Sequence, residues 1–315
     1  MSPEDDSAAS ALSPLSGPSP LAPAHADAAV SARATGRFRT VVLEHYGEHG
    51  RDLPWRRTHD PYEILVSEVM LQQTQVARVL PKYSLFLSVF PRLGELAAAP
   101  LGTVLATWQG LGYNRRALAL HRTAKIVVSE SDGRLPRSAS ALQRLPGIGP
   151  ATAAAVCVFA HNDPLVFIET NIRSAFLHHF FGECSTVSDA EILPLIAATL
   201  DQDDPRNWYY ALMDYGAWLK RTQPNPSRKS KHHTAQTPFP GSRRQLRAQI
   251  LRLLLGPTTA DGVAGEEATD APRALGLAEI VHLLPNRDPL EVQAVMTELL
   301  DEGFVSSCDD RYRIA

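Results

Sequence analysis

The sequence predicts an all-α protein of short helices that ends in a small module combining helices and strands. Apolar residues recur at helical spacing through residues 37–220, and no strand-forming run interrupts them. Residues 145–149 place two glycines in a tight turn between two helical stretches. Residues 277–314 change from two amphipathic helical patterns to a short hairpin pattern, which indicates a winged-helix-like end.

Composition excludes several classes of protein. The chain has 315 residues, of which 44% are hydrophobic, so it can bury one or two cores. Its three cysteines have no regular spacing, which argues against a disulfide framework and for a reducing compartment. No apolar run is long enough to span a bilayer, and the first residues lack a signal-peptide pattern. We therefore expect a cytoplasmic, nucleoid-associated protein.

Changes in composition divide the chain into four segments. Residues 1–36 are rich in Ala, Ser and Pro, which predicts a disordered tail. The helical domain occupies 37–220, and a proline-containing basic loop covers 221–242. Residues 243–315 hold one helix, a linker at 256–272 and the winged-helix-like module.

Helix signals recur along the whole helical domain, separated by breaks of a few residues. The helices predicted from periodicity lie near 37–49, 61–79, 83–88, 92–98, 101–109, 113–130, 138–143, 150–160, 170–180, 188–201, 205–219 and 243–255.

The helix predicted from residue 61 is apolar on most sides and carries a carboxylate. Asp60 is a good N-cap, Pro61 suits the first helical position, and Glu63 has capping-box spacing. Glu68 stands among Val, Met and Leu, so we expect it to be buried, with a pKa suited to general-acid work. The alternative is a glutamate at a helix end that reaches solvent.

The turn at residues 145–149 reads Leu-Pro-Gly-Ile-Gly and predicts a helix-hairpin-helix. Gly147 and Gly149 let backbone N–H groups approach an anion, and Thr152 begins the next helix. Such a turn holds a DNA phosphate by main-chain amides, although the same letters also fit an ordinary turn between helices. Glu169 follows at a distance that would bring a catalytic group to the sugar of the bound strand.

A basic stretch follows the helical domain. Residues 220–247 contain Lys and Arg but no Asp or Glu, although the net charge of the chain is −3. We expect Arg228, Lys229 and Lys231 to face DNA phosphates. A solvated linker is the alternative.

Five segments of the sequence stand out together, at residues 53–77, 108–113, 145–149, 169–171 and 211–216. In this unbroken order they resemble the MutY-type adenine DNA glycosylases, which share the helix-hairpin-helix base-excision superfamily with endonuclease III. The similarity implies a helix-hairpin-helix DNA glycosylase fold of two helical lobes, preceding the winged-helix-like α+β domain.

The resemblance implies a role for several side chains. Glu68 occupies the position of the acid that protonates adenine. Gln72 and Gln73 stand where side chains enter the gap left by the flipped base, and Tyr113 lies in the loop inserted at the mismatch. Asn171 matches an asparagine near the sugar.

The sequence also departs from that family. Glu169 replaces the usual aspartate. By the resemblance, Glu169 would stabilise positive charge on the sugar or deprotonate the attacking water. Ala151 replaces the lysine of bifunctional members and cannot form a Schiff base, which implies a monofunctional enzyme. Cys157, Cys184 and Cys308 cannot supply the four cysteines of the family's iron–sulfur cluster, so we expect no cofactor and no metal.

The tail beyond residue 243 does not resemble the family's domain that reads 8-oxoguanine, so the opposite-base preference is not predicted. The candidate recognition helix at 292–300 has acidic neighbours, which are unfavourable in a major groove. A packing or protein-contact role and direct DNA reading both remain open for this module.

Together these features predict a monomeric base-excision enzyme that acts on double-stranded DNA containing a mismatch or an oxidised base. It would hydrolyse the N-glycosidic bond of adenine opposite 8-oxoguanine or G after flipping the base. Two alternatives remain: a uracil, thymine-mismatch or endonuclease III-like enzyme of the same superfamily, and a non-catalytic mismatch-binding protein.

Overall fold

The structure is a computed structural model that describes residues 32–182, 184, 186–231, 238–256 and 273–315. Most of the predicted tail and of the 256–272 linker lies outside these residues. The predicted boundary of the tail is wrong by a few positions, because the first helix already begins at Ala32. No helix among the described residues has both the length and the apolar composition that a membrane span needs.

The described residues are mainly helical, with one small sheet, as the sequence predicts. Two short 3-10 helices lie at Pro54–Arg56 and Pro226–Lys229. The strands are β1 (Leu275–Gly276), β2 (Val305–Cys308) and β3 (Arg311–Ile314). The helices are α1 (Ala32–His49), α2 (Pro61–Leu71), α3 (Val76–Val89), α4 (Leu93–Ala98), α5 (Leu101–Trp108), α6 (Arg115–Ser131), α7 (Ala139–Leu142), α8 (Pro150–His161), α9 (Thr170–Phe180), α10 (Asp189–Thr199), α11 (Pro205–Thr222), α12 (Arg243–Leu255), α13 (Leu277–Leu283) and α14 (Pro289–Asp301).

One predicted helix is wrong. Periodicity favours a continuous helix over 61–79, but α2 ends at Leu71 and α3 begins only at Val76. The intervening residues form a turn in which Gln73 has a φ of +54°. The helix predicted at 83–88 is the second half of α3.

The chain divides into two compact units. The first consists of Met1–Asp52 and Asn162–Thr234, and the second of Leu53–His161 and Ala235–Ala315. In the first unit α11 packs against α1 and α9. Phe38 of α1 contacts Phe176 of α9 and Trp208 of α11, with ring centroids 4.9 and 6.0 Å apart.

A glycine allows α9 and α11 to come close together. A Cβ atom built on Gly216 would lie 1.9 Å from the carbonyl oxygen of Asn171. Asp214, two residues earlier on α11, is buried and binds Arg51, with Oδ2 accepting from the backbone N at 2.8 Å and Oδ1 from Nε at 2.7 Å. Asp214 therefore has a structural role in the first unit.

The second unit is built around α2, which packs on α8 and α3. Its core residues are almost fully buried, as its apolar sequence predicts; they include Ile64, Leu65, Val66 and Met70. Cys157 on α8 is buried as well, and its thiol donates to the carbonyl oxygen of Arg137 at 3.2 Å.

The C-terminal module, residues 275–314, has the predicted order of two helices followed by a hairpin. The antiparallel sheet has the order β1-β3-β2, with Val305 opposite Ile314 and Leu275 opposite Tyr312. Strand β1 was not predicted, because two residues leave no alternation to read. The arrangement is that of a winged helix.

The acidic residues of α14 take part in packing. Glu298 binds Arg243 of α12 with Oε1 and Nη2 2.6 Å apart, and Glu302 binds Arg247 at 2.6 Å. Glu302 also accepts from Nε of Arg115 on α6 at 2.9 Å. The packing role left open for this module is therefore observed for these two carboxylates.

Gly216→Ala should destabilise the first unit. The added methyl would meet the Asn171 carbonyl, and overpacking of this kind costs about 1–3 kcal/mol. Urea denaturation measures the loss. Gly36→Ala on α1 is the matched control, because no atom lies within 4 Å of its Cβ position. An equal effect of the two substitutions would contradict the close helix approach.

Candidate functional site

Glu68 lies in the second half of α2. Asp60 caps this helix as predicted, with Oδ1 accepting from the backbone N of Tyr62 at 2.7 Å. The other half of the predicted capping box is wrong, because the backbone N of Asp60 donates to Thr58 Oγ1 at 3.0 Å rather than to Glu63. Glu68 is half-buried between buried neighbours, so its predicted burial is only partial.

The guanidinium of Arg116, a residue for which the sequence predicted no role, caps the C-terminal end of α2. Nη1 of Arg116 donates to the carbonyl oxygens of Val69 and Met70 at 2.8 Å and of Gln72 at 2.6 Å. The last carbonyls of a helix have no partner within the helix, and here Arg116 satisfies them. Burial lowers the pKa of Arg116 to about 10, which keeps it charged at neutral pH.

The same guanidinium also holds two loops. Nη2 of Arg116 donates to Thr74 Oγ1 at 3.0 Å and to the carbonyl oxygen of Gly112 at 3.1 Å. These loops carry Gln73 and Tyr113, which are exposed and have φ values of +54° and +49°. Positive φ is uncommon for residues other than glycine and is typical of functional sites. Two of the three side chains predicted to enter DNA, Gln73 and Tyr113, thus share one anchor and a positive φ.

Gln72 is connected to the hairpin instead. Its Nε2 donates to Thr152 Oγ1 at 3.2 Å, so the turn after α2 is joined to the first turn of α8. The sequence predicted both residues as DNA contacts, and the structure shows that they contact each other.

The hairpin turn depends on Gly147. Its φ is +74°, and a Cβ atom there would lie 2.6 Å from the Cβ of Ala119 on α6. Thr123, also on α6, donates to the carbonyl oxygen of Pro146 at 3.1 Å. In the part of the chain that the structure describes, the amides of Gly149 and Thr152 have no acceptor within the protein. Free amides at a helix N-terminus, together with the dipole of α8, are the groups that an anion site requires.

Glu169 lies in the first unit, at the N-cap of α9. Its Oε1 accepts from the backbone N of Asn171 and of Ile172, both at 2.7 Å. Its Oε2 accepts from Asn171 Nδ2 at 3.2 Å. Aspartate is the common N-cap residue, and the longer glutamate reaches the same amides here.

Lys220 joins this group, although the sequence placed it only in the basic stretch. Its Nζ donates to Oδ1 of Asn171 at 3.0 Å. Burial raises the pKa of Glu169, while the two amides, Lys220 and Arg173 act in the opposite direction. A carboxylate with a raised pKa, held by neutral and cationic donors, is suited to act as a base or to stabilise a cation.

The basic residues after α11 have different environments. Arg228 and Lys231 are exposed. Lys229 donates through Nζ to the carbonyl oxygens of Phe181, at 3.3 Å, and Gly182, just after the end of α9. A bridge between Val187 and Ser230 holds the segment. Lys229 therefore has a role inside the protein that the sequence did not reveal.

The described residues contain no group of three or more His, Cys, Asp or Glu side chains that could hold a metal ion. Cys157, Cys184 and Cys308 are free thiols. His179 donates to or accepts from the Tyr215 hydroxyl at 2.7 Å, and burial lowers its pKa to about 3. The absence of a cluster stays a prediction.

Comparison with known proteins is consistent with this geometry. Residues 66–192 match the HhH-GPD superfamily of base excision DNA repair proteins. An adenine DNA glycosylase of Mycolicibacterium smegmatis is 32% identical over 292 residues, which cover 87% of this chain and 94% of that protein. The chain belongs to the adenine DNA glycosylase family. The resemblance predicted from the motifs is thereby confirmed, and with it the prediction of a base-excision repair glycosylase at the level of the family.

Other relatives match the chain over part of its length. The human adenine DNA glycosylase is 36% identical over 57% of this chain and 35% of its own length. The Buchnera aphidicola subsp. Baizongia pistaciae enzyme is 35% identical over 58% of this chain, which spans about half (52%) of that enzyme.

Solved structures confirm the predicted fold class. A thermostable thymine-DNA glycosylase superposes with a TM-score of 0.55 at 26% identity, over 59% of this chain and 87% of its own. Endonuclease III in a non-covalent DNA complex superposes with a TM-score of 0.50 at 18% identity, over 67% and 93% of the two chains. The second likeness concerns the fold alone.

Lys220→Met should move the acid limb of the pH–rate profile for base excision to higher pH. The Lys220 cation lowers the pKa of Glu169, which burial already raises above its usual value. Without that cation Glu169 would lose its charge at a higher pH, so activity would fall earlier on acidification. Single-turnover rates measured against pH test this. Lys229→Met is the control, and an acid limb that stays in place would contradict the role of Lys220.

Replacing Arg228 and Lys231 together with Ala should weaken binding to every duplex alike. Each lost phosphate contact lowers the salt slope by about 0.9, so the pair should reduce it by about 2. Affinity titrations at several salt concentrations measure the slope. Lys229→Ala should instead lower stability and leave the slope unchanged. A slope unaffected by the double substitution would assign these residues to a solvated loop.

Proposed function

We propose that the protein is a monofunctional adenine DNA glycosylase that removes adenine mispaired with 8-oxoguanine or guanine. This proposal rests mainly on the position of Glu68. It lies in α2, four residues before the turn that Arg116 binds and that presents Gln73. Protonation of a flipped purine requires an acid within reach of the base, and Glu68 lies beside the exposed turn proposed to enter the duplex.

DNA binding begins at the hairpin. The amides around Gly147 and Gly149 hold one phosphate, and the dipole of α8 favours its charge. The duplex bends and adenine leaves the stack, because its glycosidic bond is unreachable inside the duplex. Gln73 and Tyr113 then occupy the gap, with Gln72 supporting the turn through Thr152.

Bond cleavage divides between two carboxylates in different surroundings. Glu68 donates a proton to adenine, which makes the base a good leaving group. Glu169 stabilises the positive charge that develops on the sugar or takes a proton from the attacking water. Asn171 orients Glu169 through Nδ2 and carries the influence of Lys220 through Oδ1.

We also propose that the enzyme has no lyase step and uses no cofactor. Ala151 is exposed at the start of α8 and has no amine for a Schiff base. With three cysteines the chain lacks the four thiolates of an iron–sulfur cluster, so the purified protein should be colourless and iron-free by metal analysis. We further propose that it acts as a monomer on duplex DNA in the cytoplasm.

A second candidate function is favoured by the structural likeness to a thymine-DNA glycosylase at 26% identity. A uracil or thymine mismatch enzyme would use the hairpin and Glu169 but would not need an acid at position 68. Single-turnover excision on duplexes with A opposite 8-oxoguanine, A opposite G, and U or T opposite G separates the two. Release of U or T without release of A would replace the adenine assignment.

Glu68→Gln should abolish adenine excision, because an amide cannot donate the proton. General acid catalysis contributes about 10²–10⁴-fold to a rate, so the single-turnover rate of excision should fall by about 10²-fold or more. Duplex affinity should stay within about tenfold, since the side chain makes no phosphate contact in this proposal. Glu63→Gln, in the first turn of α2, is the matched control. A near-normal rate for Glu68→Gln would overturn the protonation step.

The unaltered protein should leave an intact strand with an abasic site, which breaks only after alkali or heat. Borohydride should trap no covalent adduct, because position 151 offers no amine. Ala151→Lys should introduce trapping, since this position is exposed and a longer side chain fits without repacking. Efficient nicking and trapping by the unaltered protein would show that another lysine acts as nucleophile, and Lys220→Met would then identify or exclude Lys220.

A further inference from the structure

A groove of about 1020 Å³ lies within the second unit, beside the two strained loops. Gln73 and Tyr113 line one wall, and α12 lines the other with Arg244 and Arg252. Phe239, which precedes α12 and is 53% exposed, adds an apolar aromatic face. The segment after residue 235 therefore contributes directly to the surface that holds the predicted DNA-inserting side chains.

The groove is strongly cationic. Seven arginines line it against one carboxylate, that of Glu298. Glu298 and Glu302 compensate part of this charge by binding Arg243 and Arg247. The lining residues as a set therefore keep an excess of positive charge. A concave surface with this excess attracts a phosphate backbone.

Arg244 contacts Tyr113 in two ways. Its Nη1 donates to the tyrosine hydroxyl oxygen at 3.0 Å, and its guanidinium carbon lies 6.0 Å from the ring centroid. The guanidinium carbon of Arg116 lies 5.5 Å from the same centroid. Two cations thus hold a ring that is 38% exposed and sits on a backbone of positive φ. Ordering a side chain before binding reduces the entropy lost on contact.

We propose that Arg244 is a positioning residue for opposite-base discrimination, and that α12 supplies a wall of the groove that receives the DNA strand opposite the flipped adenine. Arg244 fixes the Tyr113 ring against the base left behind, and the arginines of α12 hold the adjoining phosphates. This inference rests on the proposed function. It assigns a DNA-binding role to the C-terminal segment through α12, whereas α14 serves packing through its acidic residues.

The test compares affinity for two duplexes, using the full chain. One duplex carries a non-cleavable adenine analogue opposite 8-oxoguanine, and the other carries it opposite thymine. Arg244→Ala should lower the ratio of mismatched to matched affinity by about tenfold, the size expected for one charge-assisted hydrogen bond. Arg244→Lys, which keeps a cation and a donor, should restore most of that ratio. Arg313→Ala, exposed on β3 and outside the groove lining, should leave it unchanged.

A double-mutant cycle tests whether Arg244 acts through Tyr113. Tyr113→Phe removes the hydroxyl acceptor but keeps the ring, so Arg244→Ala should have a clearly smaller effect on the affinity ratio in that background than in the unaltered protein. Additive effects of the two substitutions would overturn the positioning role. So would an equal loss of matched and mismatched affinity in Arg244→Ala, because a phosphate contact alone carries no base information.

The result also separates this inference from the proposed function. If the function is wrong, the unaltered protein excises adenine from no duplex. If only the inference is wrong, the unaltered protein excises adenine and Arg244→Ala keeps its full opposite-base discrimination. Thermal melting of Arg244→Ala within a few degrees of the unaltered protein excludes unfolding as the cause of a loss.

Discussion

The candidate DNA interface depends on the hydrogen bonds that the Arg116 guanidinium donates. It satisfies the last carbonyls of α2 directly after Glu68, so the helix stops there and the turn with Gln73 begins. It also binds Thr74 and the loop before Tyr113. One half-buried cation therefore sets where α2 ends after Glu68 and where two exposed side chains with positive φ lie. Glu68 and the proposed DNA-inserting side chains thus share one anchor in the second unit.

Local signals predicted the elements whose cause lies in adjacent residues. The N-cap at Asp60 and the glycine turn at Gly147 are short-range features, and both appear in the structure as the sequence indicated. The winged module was predicted by its two amphipathic helical patterns and the hairpin pattern that follows them. Family motifs identified Glu68 and Glu169, although not the contacts that control them. Short-range chemistry thus carried most of the fold and the identities of the principal site residues.

Long-range contacts account for what the sequence did not predict. Glutamine is a good helix former, so nothing near Gln72 predicts a break; the break depends on Arg116, 44 positions later. Lys220 reaches Asn171 from 49 positions away, and Lys229 reaches the end of α9 from 47 and 48 positions away. A basic stretch read as one DNA-facing surface therefore divides into residues with separate roles. Composition cannot separate them, because each role is assigned by packing.

Hydrogen–deuterium exchange of Arg116→Met measures most directly whether Arg116 holds both loops. Arg115→Met is the matched control, because Arg115 is the neighbouring residue, mostly exposed, and binds Glu302 instead. We expect faster exchange in residues 72–75 and 109–114 together for Arg116→Met, with α8 unchanged and with neither segment affected in Arg115→Met. Exchange in both segments equal to that of the unaltered protein would contradict this role of Arg116.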